Sequence, residues 1–183
     1  MAEAAATAAR PEVETIVKSA RDAGPDDLLA ANGYIFCAPE NLAAIAGVMK
    51  DFFDRCYYPV LGRIEGRPYA QLICAGSDGE NAARQTARIA KGWRLREVQP
   101  HIVICTHAQT PEQILAEKVI PDEQLSLCRD LGAAMGAGLA MGVFWKKLEL
   151  RIATIPLSNP VFNCGSPWVD DFRLETFIRA LKA

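Results

Sequence analysis

The stretch GYIFCAPENLAAIAGVMKDFFDR, residues 33–55, decides the fold, because it joins a buried-strand pattern to a helix pattern through one short turn. Residues 33–38 form an uninterrupted apolar run, which is typical of a strand covered on both faces. Farther along, apolar residues recur on one face of a helix: Ile45, Met49, Phe52, Phe53 and Cys56. We therefore expect a buried strand, a turn that begins with proline, and an amphipathic covering helix.

The same pattern recurs along the chain. YAQLICA at 69–75 and HIVICT at 101–106 are further buried-strand patterns, and EVETIV at 12–17 is a weaker one. Helical periods separate these runs, and this alternation predicts a parallel sheet wrapped by helices. A chain of 183 residues suits one full-sized domain.

Two helix starts and one glycine pattern give sharper expectations. Ser77, with Glu80 three residues later, suggests a capping box, and Thr110, Pro111 and Gln113 suggest another. The last helix, about 122–144, contains glycines at 132, 136, 138 and 142 within an apolar segment that is shorter than a bilayer needs. We expect these glycines to let the helix pack closely onto the sheet.

The composition excludes several classes of protein. Half of the residues are apolar, 23% are charged and the formal net charge is −2, so no basic patch indicates nucleic acid or an anionic membrane as a partner. The six cysteines include no C-x-x-C and no zinc-type cluster, so we expect core thiols in a reducing cytosol and no metal site. The N-terminus lacks the pattern of a secretory signal, and a cytoplasmic location is expected.

Two loops stand where ligands bind in such sheets, beyond the carboxyl ends of the strands. APENL follows the run at 33–38, and CAGSDGENAAR follows the run at 69–75. Each leads into a helix, so free backbone N–H groups and the positive end of a helix dipole are expected at the crevice. This arrangement suits an electron-rich carbonyl edge or an anion.

These residues carry a resemblance. APENLAAIAGVMKDFFDR, followed by CAGSDGENAARQ and by THAQTPEQIL, resembles the flavodoxin-like superfamily, nearest its NAD(P)H-dependent FMN reductase branch, over about residues 24–144. The resemblance implies an α/β three-layer sandwich with a flavodoxin-like parallel sheet. Its most specific element is the P-E-N turn followed by small residues and G-x-M-K-D-F-F-D.

The resemblance implies an FMN site on the two loops. The turn against the isoalloxazine ring corresponds to Pro39, Glu40, Asn41 and Leu42. The loop at the pyrimidine edge of the ring corresponds to Gly76, Ser77, Asp78, Gly79 and Glu80. Small residues after the turn, Ala43, Ala44, Ala46 and Gly47, are expected to keep the helix start low enough for a flat ring to approach. No catalytic residue is named, because the cofactor carries the redox chemistry.

Bland alternatives stand beside these assignments. Glu40 and Asn41 could simply close a turn and cap a helix, and Asp78 and Glu80 could do no more than cap the next one.

Two departures separate this sequence from the family. The family opens with a strand, central in the order 2-1-3-4-5, and a Ser/Thr-rich phosphate loop, whereas MAEAAATAAR resembles the helix that follows that loop. Either the start lies upstream, or another segment fills the gap.

The second departure is the segment 145–183, which we treat as a C-terminal extension to a flavodoxin-like domain at 1–144. LRIATI within it could enter the central slot with SNPVFNCGSP at the rim, but a surface extension or dimer arm is the expectation.

The leading function is an FMN-dependent NAD(P)H oxidoreductase of the flavin or quinone reductase type, with FMN as cofactor and NAD(P)H as co-substrate. A flavodoxin-like electron carrier is one alternative, although acids exceed bases by only two. Another is a non-catalytic protein that keeps the fold and no longer binds FMN. We also expect a small-molecule redox substrate and a homo-oligomeric protein. We expect no nucleic-acid or membrane partner.

Overall fold

The computed structural model describes residues 1–144 together with the strand at 152–155. The helices are α1 (Ala2–Ala9), α2 (Pro25–Ala30), α3 (Gly47–Val60), α4 (Glu80–Gly92), α5 (Pro111–Leu115) and α6 (Asp122–Ala140). The strands are β1 (Thr15–Val17), β2 (Gly33–Asn41), β3 (Ala44–Ile45), β4 (Pro68–Ala75), β5 (Arg96–Glu97), β6 (Ile102–Cys105) and β7 (Ile152–Ile155).

The sheet is parallel except for β3. Its order is β1-β7-β2-β4, and β5 and β6 pair with successive parts of β4. Only β3 runs antiparallel, as a two-residue continuation paired with the end of β2. The three long buried-strand patterns thus occupy neighbouring positions, as the sequence predicted, and the flavodoxin-like α/β architecture is confirmed.

The slot beside β2 is filled from the far end of the chain. Ile152 pairs with Thr15 of β1 on one side and with Gly33 of β2 on the other. The expectation of a surface extension or dimer arm is therefore wrong for Ile152–Ile155, and the alternative, LRIATI in the central slot, is confirmed for these residues. The physical reason is that a strand here satisfies backbone donors and acceptors on the facing edges of both β1 and β2. The rest of the segment 145–183 lies outside the described residues.

Two apolar clusters cover the two faces of the sheet. The cluster beneath α3 and α4 contains Tyr34 and Phe36 of β2, packed against the aromatic residues Phe52, Phe53 and Trp93. The cluster on the opposite face contains Ile35 and Cys37 of β2, packed with α1 and α6. Alternate residues of β2 thus enter opposite cores, which explains its uninterrupted apolar pattern.

The cysteines belong mainly to these cores. Cys37, Cys56, Cys74 and Cys128 are buried, as the sequence predicted. Burial raises the pKa of the Cys56 thiol to about 12 and also raises the pKa of Cys128, so both thiols stay protonated at neutral pH. Cys164 lies outside the described residues.

The glycines of α6 serve a helix-helix contact. A Cβ at Gly132 would lie 2.0 Å from the carbonyl oxygen of Ala5, and one at Gly136 would lie 3.0 Å from that of Ala9. The expectation of close packing onto the sheet is therefore wrong for these two positions, because α1 lies against them. The alanine-rich N-terminal helix and the glycine-rich helix are matched, since each presents minimal side chains to the other.

No helix in the described part of the chain has both the length and the apolar character needed to cross a membrane.

Gly132→Ala should destabilise the protein. Alanine favours the helical state by about 1 kcal/mol, but its Cβ would meet the backbone of α1, and overpacking of this kind costs about 1–3 kcal/mol. We expect a lower midpoint in thermal or urea unfolding, with a smaller effect for Gly136→Ala. Gly47→Ala is the control, because no atom lies within 4 Å of a Cβ there. A Gly132→Ala protein as stable as the wild type contradicts the contact.

Ala153→Pro tests the central position of β7. Ala153 pairs with Ile16 on one side and Tyr34 on the other, so proline would remove an N–H from a strand bonded along both edges. Ala153→Gly keeps that N–H and should cost only about 1 kcal/mol. We expect the proline variant to lose considerably more stability in urea titrations. Equal losses in the two variants would place this strand outside the sheet.

Candidate functional site

Two loops leave the same edge of the sheet side by side. The strands β2 and β4 are parallel neighbours, and Pro39 lies opposite Cys74 near their carboxyl ends. The chain continues from these ends into the hairpin at 40–45 and the loop at 76–79. Pro39 and Gly76 therefore stand on one side of the molecule, which is the arrangement that an FMN site on the two loops requires.

The first loop is a tight hairpin rather than the start of a helix. Asn41 pairs with Ala44 and Glu40 with Ile45, and the two residues between, Leu42 and Ala43, have φ angles of 51° and 57°. Two successive positive φ values are characteristic of a type I′ turn. The expectation that Ala43, Ala44 and Ala46 form a low helix start is wrong, because the antiparallel pairing holds the chain extended until α3 begins at Gly47.

The hairpin ends in an exposed tip on a buried base. Pro39 is buried, whereas Asn41 and Leu42 are exposed, and Leu42 is 98% accessible. The N–H of Ala46 donates to the carbonyl oxygen of Pro39 at 3.1 Å and closes the base. The structure thus places the four residues predicted from the P-E-N turn on one short projection beside the second loop.

The second loop ends at Gly79, which has φ 86° and is the N-cap of α4. A Cβ at this position would lie 2.5 Å from Cγ1 of Val103, so both the backbone angle and the packing favour glycine. The capping box expected from Ser77 and Glu80 is wrong, because the cap position is Gly79.

Glu40 joins the two loops. Its carboxylate accepts a hydrogen bond from the N–H of Gly79 at 2.9 Å and a longer one from that of Ala82 at 3.4 Å. A carboxylate is stabilised at a helix N-terminus by the orphan N–H groups and by the helix dipole. Glu40 therefore caps α4 from the neighbouring strand, and its predicted contact with a flavin ring stays a prediction.

Two residues that the sequence reasoning missed fasten the hairpin to α4. The side-chain amide of Asn81 donates to the carbonyl oxygen of Ala43, and Oε1 of Gln85 accepts from the N–H of Ile45 at 2.9 Å. Asn81 and Gln85 are one helical turn apart, so they lie on the same face of α4. That i,i+4 pair of amides was the available signal, but polar residues at this spacing usually face solvent.

The acidic residues of the second loop point in different directions. The carboxylate of Glu80 lies 3.3 Å from Nε2 of His101, a residue that precedes β6, so it is directed to the β6 side of α4. Oδ1 of Asp78 lies 3.4 Å from the N–H of Glu80, and the carbonyl oxygen of Asp78 lies 3.6 Å from Sγ of Cys105. Glu80 is thus the predicted site residue whose side chain is turned away from the hairpin.

The space next to Gly76 is open. A Cβ there would meet no atom within 4 Å. Within the described residues, the N–H groups of Gly76, Ser77 and Asp78 donate no hydrogen bond to another residue. The loop therefore offers space and donors together, which fits a flat group that carries acceptor atoms along one edge.

Other kinds of site receive less support. Across 1–144 and 152–155, no group of three or more His, Cys, Asp or Glu side chains could hold a metal ion. The segment SNPVFNCGSP, which the sequence analysis considered for the rim, lies outside the described residues.

Comparisons with known proteins agree with this fold. Residues 10–110 match the family model described as NADPH-dependent FMN reductase. A solved structure described as a flavodoxin from the domain Archaea superposes with a TM-score of 0.55 at 17% identity, covering 74% of this chain and 85% of that one. No curated protein matches the sequence. The family match spans more than half of the chain and includes both loops, and the chain therefore belongs to the NADPH-dependent FMN reductase family.

Proposed function

We propose that this protein is an FMN-dependent NAD(P)H oxidoreductase that reduces a flavin, a quinone or a similar small acceptor. The observation that carries the proposal is the pair of adjacent loops, joined by Glu40 and leaving open ground at Gly76. Family membership supports the association with FMN. The choice of acceptor and the use of NAD(P)H are the parts that need experiment.

The residues of the second loop would hold the polar edge of the ring. The N–H groups of Gly76, Ser77 and Asp78 are the donors available to the N1 and C2 carbonyl region of FMN, where negative charge appears on reduction. Donors fixed in place before binding stabilise such charge without reorganisation. These backbone groups would therefore influence the reduction potential as well as the affinity.

The residues of the first loop would form the neighbouring wall. Pro39 stiffens its base, and Leu42 offers an exposed apolar side chain at its tip. An apolar side chain beside a flat ring excludes water from one side of it. When bound, FMN supplies the redox chemistry, so none of these residues needs to act as an acid or base.

Two alternatives remain as outcomes of experiment. A one-electron carrier is disfavoured because a formal net charge of −2 gives no strongly acidic docking surface. A family member that no longer binds FMN would use the same fold for binding or assembly. The cytoplasmic location and the homo-oligomeric state expected from the sequence stay predictions.

Purified protein should bind FMN and oxidise NAD(P)H in a flavin-dependent manner. We expect quenching of free FMN fluorescence on titration, and loss of NAD(P)H absorbance that requires added flavin or quinone. Binding without NAD(P)H oxidation would favour the carrier, and the absence of binding would favour the non-catalytic alternative. Comparison of NADH with NADPH in the same assay gives the co-substrate preference.

Gly76→Leu should weaken FMN binding while leaving the protein folded. A Cβ at position 76 meets no atom within 4 Å, so the first atom of the new side chain causes no clash, and the rest of the leucine would occupy the space beside the loop. We expect FMN affinity to fall by about tenfold or more, which is about 1.4 kcal/mol. Gly24→Leu is the matched control, since a Cβ at Gly24 also meets no atom within 4 Å and this residue precedes α2, which belongs to neither of the two loops. Unchanged affinity in Gly76→Leu contradicts the proposed location of the ring.

A further inference from the structure

The turn at the hairpin tip holds two residues in an unfavourable conformation. Leu42 and Ala43 both have positive φ, a region that glycine and asparagine favour and that side chains with a Cβ rarely adopt. Leu42 is 98% exposed, so packing of its side chain does not offset this cost. Such a turn persists only when the surrounding structure determines it.

The determining contacts come from α4. Asn81 donates to the carbonyl oxygen of Ala43, and Gln85 accepts from the N–H of Ile45, so α4 holds the chain on the C-terminal side of the turn at two points. A guanidinium nitrogen of Arg84 lies 3.3 Å from Oδ1 of Asn81. This donor fixes the side-chain amide of Asn81 with its nitrogen toward the hairpin.

The helix that supplies these contacts is itself rigidly seated. The inner face of α4 is buried in the apolar cluster beneath the sheet through Ala82, Ala83 and Ala90, and Thr86 is buried beside them. Glu40 fixes the N-terminus of the same helix from the base of the hairpin. The hairpin and α4 are therefore joined at the base by Glu40 and near the tip by the two amides.

We propose that Asn81 and Gln85 are positioning residues, which hold the hairpin tip 41–44 in the shape that borders the flavin site. The inference rests on the proposed function. The hairpin tip is exposed and strained, so it contributes little to the packing of the core. Contacts that maintain its conformation are therefore better explained by a role of the tip in ligand binding than by a role in stability. Holding the wall in place before binding lowers the ordering cost that the ligand would otherwise meet.

Gln85→Leu, compared with Gln85→Glu, tests this role. Leucine has a similar size but offers no acceptor to Ile45, whereas glutamate keeps an acceptor oxygen. We expect Gln85→Leu to weaken FMN binding by about tenfold, about the effect of one lost hydrogen bond, and to change the visible circular dichroism of the bound flavin. Gln85→Glu should restore both. Lys91→Leu, on the exposed part of the same helix, is the matched control and should bind FMN as the wild type does.

A second substitution tests whether the effect passes through the turn. Ala43→Gly removes the penalty for positive φ, so the turn needs less support from α4. In the Gln85→Leu background it should recover much of the lost FMN affinity. A double variant as weak as Gln85→Leu overturns the proposed route through the turn.

Hydrogen exchange without ligand separates this inference from the proposed function. In Gln85→Leu, the amide of Ile45 should exchange about tenfold faster, while that of Ala46, bonded to Pro39, should not change. Unchanged exchange at Ile45 would show that Gln85 does not hold the hairpin tip, whatever the ligand. If the wild type binds FMN and Gln85→Leu binds it equally well, the positioning role of Gln85 is wrong and the proposed function stands. If the wild type binds no FMN, the proposed function is the one that fails.

Discussion

The structure depends on β2 being bonded along both of its edges. On one side β2 pairs with β7, which closes the sheet toward β1, and on the other it pairs with β4, which places the two loops next to each other. Its side chains enter both apolar clusters. The same strand therefore fixes the continuity of the sheet, the separation of the two cores and the position of the candidate site.

The sequence predicted the long buried strands well, because continuous apolar runs are unambiguous when a sheet is covered on both faces. It predicted α3 from its apolar face, and it predicted a glycine-containing helix over about 122–144, which the structure has as α6 at Asp122–Ala140. The hairpin was missed because its pairing involves only Glu40–Ile45 and Asn41–Ala44, and its turn carries Leu and Ala instead of the Asn-Gly pair that usually signals positive φ. The glycines of α6 correctly predicted close packing, but the partner is α1 and not the sheet. Sequence alone does not show which element lies against a glycine-rich helix face.

The candidate site shows a similar division. Strand order and loop position follow from general rules for parallel sheets, so the two loops could be assigned before their geometry was known. The contact that each side chain makes could not be predicted in this way. Glu40 is directed to the backbone of α4, and Glu80 is directed to His101. Asn81 and Gln85 reach the hairpin. Which partner each side chain contacts depends on distances between elements far apart in sequence. Side-chain contacts to the backbone of an element distant in sequence have no fixed spacing that a single sequence could reveal.

The entry of β7 between β1 and β2 also constrains the order of events during folding. Thr15 and Ile152 are partners although nearly the whole described chain separates them, and closing so large a loop is slow. During synthesis, the facing edges of β1 and β2 emerge long before the strand that joins them, with their hydrogen-bonding groups unpaired. A nascent chain of this protein therefore exposes unpaired backbone groups on the facing edges of β1 and β2 until residues 152–155 are available to pair with both.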